Sequence, residues 1–548
     1  MTTARLILTA VFCLLLTRLW TVVSRYLFAG PLDNLPGPAR SSWYAGNLNQ
    51  IFNRHGWGFQ DELLDQYAPV VKLHGLLGRK MLYVYDPTAL YQVVIKDSYT
   101  FEPVKWFTSF VSLVFGPGLP AVHGEQHRKQ RKLINPAFSG AFIRNLTPMF
   151  YDVAHKMRTS LQEELTGGVK EINILPWIHR AALEAVGRGA LGHTLDPLNA
   201  PSSDEYGNAL KAVSPVVFSL GYLRMLSPLL SLLTTPVRRF LVRFVPHAGV
   251  REMARLARVM DDKAKEIFRL KSVALMDDRT ANRTDQSIMS VLMRANMAAS
   301  PEDRLPEDEL IGQMSTLAFA GTDTTTSAIA QIIDLLSRHP DVQERLRRET
   351  TAARDRWHGA TGSDDLTYDA LMSLPYLDAV CRETLRLYPP ATFVYRETGK
   401  DTTLPLSKPI RGVDGTLLHE IIVPKGTTIL LGIRGCNLNR DIWGPDAREW
   451  RPERWLSPLP ESLKNAKIPG VYSNIMTFLG GGRSCIGFKF SQLEMKVLLF
   501  TLVTLFRFKQ SRQIYWNLCT FVYPTAGPDS STQEMPVIVE PLTSAQSG

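Results

Sequence analysis

Cysteine is scarce in this 548-residue chain: there are five, Cys13, Cys381, Cys436, Cys485 and Cys519, and no two of them form a C-x-x-C pair. A disulfide framework is disfavoured, the more so because Cys13 lies in an apolar stretch out of reach of the others. No run of Lys or Arg accompanies the net charge of +10, which argues against a nucleic-acid arm. An anionic membrane surface, an acidic protein partner or a merely solvated basic surface stay open. Long Gly/Ser or Pro-rich linkers are missing too, so one large body is expected rather than several domains. No repeat of about 20–50 residues is visible, which speaks against a solenoid. An apolar fraction of 45% with 21% charged residues excludes a disordered chain and allows a substantial core. Asn145-Leu-Thr and Asn282-Arg-Thr match the glycosylation sequon, a pattern short enough to arise by chance.

What is present begins at the N-terminus. From Leu6 to Val23 the chain is nearly all apolar, interrupted by Arg18, close to the ~20 residues that cross a bilayer. Residues 1–29 read as a transmembrane anchor. A cleaved signal peptide is the alternative, but it calls for a shorter apolar core and a small-x-small cleavage site, and "SRYLFAGPLDN" offers no convincing one. Arg18 can snorkel from the end of the span, and Trp20 and Tyr26 suit the interface. Arg25 and Arg40 follow the span while only Arg5 precedes it, a weak bias that places the bulk of the protein in the cytosol. Pro36 and Pro38 stiffen the exit, residues 30–40.

Along residues 41–548 the apolar runs "VVKLH" and "MLYVY" flank "GLLGRK" and read as a hairpin, and "DPTALYQVVIKD" looks helical. Amphipathic helix patterns cover Gln130 to Arg158, Val250 to Lys271 and Leu310 to Arg338, and strand-like pieces such as "EIIVPKGTTILL" appear in the last third. The expected fold class is mostly α with small β sheets in a single large globular domain. Leu223 to Phe244 mixes long aliphatic runs with Arg238, Arg239 and Arg243. It suits a segment resting on a membrane surface, with core packing as the equal alternative.

The densest chemical signal is "FLGGGRSCIGFKF" from Phe478. Its glycines fit neither G-x-x-x-x-G-K-[ST] nor G-x-G-x-x-G after a strand, and no second Cys or His ligand for zinc is near Cys485. A lone thiolate can hold haem iron as its one axial protein ligand, where it favours O–O cleavage. The glycines would then let the backbone approach the macrocycle, and Arg483 would pair with a propionate. A helix from Phe488 to Leu505 would turn its N-terminal dipole toward the sulfur. A buried structural cysteine in a tight turn is the plain alternative.

Phe478, Gly481, Arg483, Cys485 and Gly487 match F-x-x-G-x-R-x-C-x-G, and on these residues the chain resembles the cytochrome P450 family. The resemblance implies the P450 fold, with iron protoporphyrin IX as cofactor and Cys485 as the metal ligand. Glu383 and Arg386 share a helix face in "CRETLRLYPP", and "RPERW" supplies Arg454 with Trp455 where the family has Phe. The resemblance makes Glu383, Arg386 and Arg454 a structural network. "AFAGTDTTTSA" resembles the oxygen-activation motif, which gives Asp323 and Thr324 the catalytic, proton-delivering roles. Physically, a threonine there can bond a carbonyl one turn back and loosen the helix, and the small residues otherwise mean close helix packing. Further propionate anchors implied by the family are Arg131, His127 in place of the usual Trp, and Arg396. The anchor and the "PLSKPIRGVDGT" insertion are similar to membrane-bound eukaryotic, fungal members.

The resulting expectation is a haem-thiolate monooxygenase that hydroxylates or otherwise oxidises a small lipophilic substrate, a terpenoid or other secondary metabolite. No flavin or nicotinamide motif is apparent, so electrons come from a separate partner, an NADPH-dependent reductase or cytochrome b5. The expected location is the endoplasmic reticulum membrane, single-pass. The rivals are a thiolate-haem isomerase or dehydratase that needs no reductase, and a non-catalytic haem sensor.

Overall fold

Residues 30–198, 205–276, 286–472 and 474–542 are described by a computed structural model, together with scattered positions between 5 and 24. Most of the expected anchor, and the sequon at Asn282, fall outside the described residues. Among the described residues no single helix is long and apolar enough to cross a membrane.

Apolar periodicity sets the helices α1 (Lys105–Phe115), α2 (Gly124–Ile134), α3 (Thr147–Glu164), α4 (Leu175–Val186) and α5 (Glu205–Ser219). They are followed by α6 (Thr235–Val242), α7 (Ala248–Met276), α8 (Glu307–Arg338), α9 (Pro340–Thr361), α10 (Pro375–Leu387) and α11 (Phe488–Leu505). α8 has 32 residues, about 48 Å at the usual rise. Glu307, Asp308 and Glu309 in its first turn and Arg338 in its last complement the helix dipole, and most of its side chains are buried. Prolines open α9 and α10, where the missing N–H costs nothing. α11 is buried on nearly every face and packs on α3, α8 and α9, as an apolar core helix must.

β1 (Val70–His74) and β2 (Lys80–Val84) form an antiparallel hairpin with Val70 opposite Val84. With β3 (Phe101–Glu102), β5 (Phe393–Thr398) and β8 (Thr428–Gly432) they build a five-stranded sheet in the order β1-β2-β8-β5-β3. β4 (Lys170–Asn173), β9 (Phe506–Gln510) and β12 (Pro536–Pro541) make a second sheet, and β10 (Tyr515–Asn517) pairs with β11 (Tyr523–Thr525). One apolar core fills the helical body, and a second lies around the five-stranded sheet. The fold is mostly helical with small sheets.

The insertion "PLSKPIRGVDGT" lies in the hairpin of β6 (Thr402–Arg411) and β7 (Leu417–Val423). Its register shifts between Pro405 and Ile410, where two prolines cannot donate to the ladder. The hairpin tip grips Asn34: Val413 N donates to its carbonyl at 2.8 Å and Asp414 N to its Oδ1 at 3.1 Å. Residues 30–40 are tied to the sheet as well. Leu32 and Leu35 are buried, Lys72 Nζ donates to the Asp33 carbonyl at 2.8 Å, and Lys80 pairs with the Asp33 carboxylate. In the segment from Leu223 to Phe244, short helices turn Leu229, Leu232, Phe240 and Phe244 outward, where they are exposed.

Candidate active site

The cysteine loop ends where α11 begins. Cys485 N donates to the Phe478 carbonyl at 2.8 Å, closing the loop, and Gly487 caps the helix two residues later. Cys485 is accessible although protein surrounds it on all sides, so the opening it faces is internal. Burial raises its thiol pKa, while the Gly487 N–H and the nearby Arg131 charge act to lower it. Cys381 and Cys436 are different: both are sealed within the cores, and burial pushes the Cys381 thiol up to about 12.

The glycines of the loop have a different reason from the expected one. A Cβ on Gly480 would lie 1.7 Å from the Pro469 carbonyl oxygen, and one on Gly481, at φ +67°, 1.9 Å from that of Val94. These two glycines let protein backbone approach protein backbone. Gly482 alone of the three has open space. A second glycine pattern escaped the sequence reading: Gly187, Gly189 and Gly192 carry G-x-G-x-x-G spacing. They follow helix α4 instead of a strand and form a π turn ended by left-handed Gly192, so they are no dinucleotide cradle.

Basic residues from separate elements converge near the loop. Arg131 donates to the carbonyl and hydroxyl of Ser484 at 2.7 and 3.3 Å and to Asn135 at 3.0 Å, and has no carboxylate partner among the described residues. Arg396 is buried, bonds the Tyr395 carbonyl at 2.8 Å, and is held down to about 10 by burial and by Arg483. His127 is buried and lowered to about 4, first by burial and then by the charges of Arg483 and Arg131. The Arg483 guanidinium is engaged with Glu102 at 2.6 Å and the Val122 carbonyl at 3.1 Å. Glu102 is held at about 2; desolvation opposes this, and the hydrogen bond from His123 and the charge of Arg483 outweigh it. Among the described residues, Arg131, Arg396 and Arg483 gather with the single carboxylate of Glu102 around His127, an excess of two positive charges next to the cysteine loop. That donor set fits haem, whose two propionates would balance the excess.

On α8, Thr324 Oγ1 donates to the Ala320 carbonyl one turn back at 2.7 Å. Ala320 is exposed in mid-helix next to buried Phe319 and half-buried Gly321, so the helix borders open space there. Gly321 serves packing: a Cβ there would stand 2.6 Å from Val186 of α4. Asp323 does not join Thr324. Its carboxylate accepts from Ser214 Oγ at 2.7 Å on α5, beside a cavity of about 100 Å³ lined by His179, Lys211 and Thr326. Burial raises Asp323 to about 7 against the opposing Ser214 hydrogen bond and Lys211 charge. Ser214, Lys211 and Glu102 were not singled out in the sequence, since each meets its partner over a long chain separation that no local spacing records.

Glu383 and Arg386 are fully buried, with Arg386 Nε and Nη2 donating to the two carboxylate oxygens at 2.9 and 2.8 Å. Arg454 Nε reaches Glu383 at 3.3 Å and pairs with Asp446 at 3.0 Å. Trp455, where the family motif has Phe, donates its Nε1–H to Glu383 at 3.0 Å. Phe478 packs between Tyr472 and Phe488, at 5.8 and 6.2 Å between ring centres.

Comparison with known proteins agrees with this geometry. The cytochrome P450 family model matches residues 36–526. Cytochrome P450 monooxygenase 91 of Postia placenta is 47% identical over 534 residues, 96% of this chain and 97% of the relative. Cytochrome P450 monooxygenase 219 of the same fungus is 46% identical over 515 residues, 93% of each chain. A ganoderic acid synthetase of Ganoderma lucidum is 42% identical over 534 residues, covering 95% and 96%. Family match and full-length relatives together make this chain a member of the cytochrome P450 family, a monooxygenase with a haem-thiolate cofactor.

Proposed function

We propose that this chain oxidises a small lipophilic molecule, a terpenoid or related secondary metabolite, with Cys485 as the axial thiolate and Asp323 and Thr324 as the proton-delivering pair. The observation that carries the reading is the excess of two positive charges among the described residues around His127, next to the loop of Cys485. His127, Arg131, Arg396 and Arg483 would seat the propionates, and residues 41–548 would form the catalytic unit. The terpenoid class draws on the name of the Ganoderma relative.

Haem, when bound, supplies reduction of dioxygen and insertion of one oxygen atom into the substrate, with electrons from a reductase and cytochrome b5 as a further donor. The chain's own residues prepare that chemistry. Gly487 N–H and the N-terminus of α11 stabilise negative charge on Cys485 Sγ. Thr324 commits its one proton to the Ala320 carbonyl, which leaves its oxygen lone pairs to accept from a water in the open space there. With its pKa near 7, Asp323 can take and release a proton at Oδ1 or Oδ2 around neutrality, and His179, Lys211 and Ser214 in the cavity beside it are polar groups through which a proton can be resupplied. An N-terminal anchor over residues 1–29 would hold the enzyme on the endoplasmic reticulum, facing the cytosol.

The reduced protein with carbon monoxide should show the red-shifted Soret band of a thiolate-ligated haem, and Cys485→Ser should abolish it. Membranes carrying the protein, a reductase and NADPH, incubated with a terpenoid and fatty-acid panel, should yield a product heavier by one oxygen. Turnover of a hydroperoxide without reductase or dioxygen would overturn this reading in favour of an isomerase or dehydratase.

A further inference from the structure

The turn that joins α5 to the apolar segment carries an arginine that no described carboxylate answers. In the 3-10 turn Gly221–Leu226, Leu223 and Leu226 are exposed, while Met225 packs on the sheet core. The turn is pinned to α1 by Ser227 Oγ, which donates to the Trp106 carbonyl at 2.6 Å. Arg224 lies inside it, its guanidinium carbon 4.5 Å from the centre of the Phe52 ring and 5.6 Å from that of Trp106. Its Nε is buried without a hydrogen-bond partner, and it makes no ion pair with any described Asp or Glu. Arg434 stacks over Trp57 at 5.2 Å in the same manner, but Arg434 is paired with Asp61 at 2.8 Å.

The surroundings of Arg224 lead to the reaction centre. Trp106 packs edge-on against Tyr395 at 5.0 Å, on the strand that carries Arg396. Cys519, between β10 and β11, feels the Arg224 charge, and Phe521 in the same turn packs on Phe319 of α8 at 5.7 Å. Stacking on aromatic faces fixes the plane of a guanidinium and leaves its edge, the fork that takes a carboxylate in two parallel hydrogen bonds, free to bind.

We propose that Arg224 is a specificity-determining residue that binds the carboxylate of a lipophilic carboxylic acid. This rests on the monooxygenase reading above and narrows its substrate class. The aromatic side chains beside it, Phe52, Trp106 and Tyr395, take the body of the molecule, and the fork takes its anionic end. A neutral analogue leaves the fork unpaired, and selectivity follows from that difference.

The test is equilibrium dialysis of the full-length, haem-loaded protein at neutral pH with two probe pairs, oleanolic acid with its methyl ester and palmitic acid with methyl palmitate. In at least one pair the acid should bind about tenfold tighter than the ester, about 1.4 kcal/mol. Arg224→Gln should bring the acid down to the affinity of the ester and leave the ester unchanged, and Arg224→Lys should recover part of the difference. Acids that bind no better than their esters, including acids that do not bind at all, overturn the proposal. So does an Arg224→Gln protein that keeps the preference, or one that loses acid and ester equally, which would mark a packing role. The carbon monoxide spectrum of the wild type, recorded in parallel, judges the haem-thiolate reading separately.

Discussion

Replacing Glu383 by alanine tests the energetic role of the network behind the haem-binding loop. The carboxylate accepts five hydrogen bonds: two from Arg386 at 2.8 and 2.9 Å, one from Arg454 at 3.3 Å, one from Trp455 at 3.0 Å and one from Arg451 N at 3.1 Å. Arg386 would keep its bonds to the carbonyls of Asn437 and Ala447, and Arg454 its pair with Asp446, so neither guanidinium loses every partner. Arg386 would nevertheless stay fully buried with the counter-charge of Glu383 gone, and breaking such a pair costs about 3–5 kcal/mol. Trp455→Phe removes one neutral donor of the five and should cost about 1 kcal/mol. The assay is urea titration of the carbon monoxide-bound thiolate band in proteins of equal haem content. A Glu383→Ala protein within about 1 kcal/mol of wild type, or a Trp455→Phe protein as damaged as Glu383→Ala, would refute this role of the carboxylate.

Thr324→Ala should let reductase-driven oxygen consumption continue while product formed per oxygen falls, measured by oxygen electrode and product assay; unchanged coupling would remove Thr324 from proton delivery. Asp323 has a folded pKa of about 7, above the ordinary 3.8, so the folded state holds the extra proton and wild type loses stability as pH rises between those values. Asp323→Asn should therefore gain melting temperature relative to wild type across that interval, with the gap levelling off above pH 7; a pH-independent gap would contradict the burial of the acid. Gly481→Ala forces a side chain onto a backbone at φ +67° and against the Val94 carbonyl. A cost of about 1–3 kcal/mol and a lower haem-to-protein absorbance ratio are expected, and a normal ratio would refute the packing account.

The parts of the site that sequence reveals are those written in short range. The helix after Cys485, the i to i+3 pairing of Glu383 with Arg386 and the back-bond of Thr324 each depend on neighbours within a turn or two. Roles set by partners from distant segments were hidden. Arg483 pairs with Glu102 across 381 positions, and Asp323 faces Ser214 across 109. The glycines were visible but their reason was not, because the atoms they avoid belong to Pro469 and Val94. Trp455 stands where the motif has Phe, and the partner its indole nitrogen finds in Glu383, 72 positions away, is not written in the motif.

Asn34 sets the practical left-hand edge of the folded unit. A shortened chain starting at residue 30 keeps the clasp on Val413 and Asp414 and the plug of Leu32 and Leu35. Trimming to residue 41 would uncap the distant β6–β7 loop and open one side of the sheet, so soluble versions of this enzyme belong on the longer side of that line.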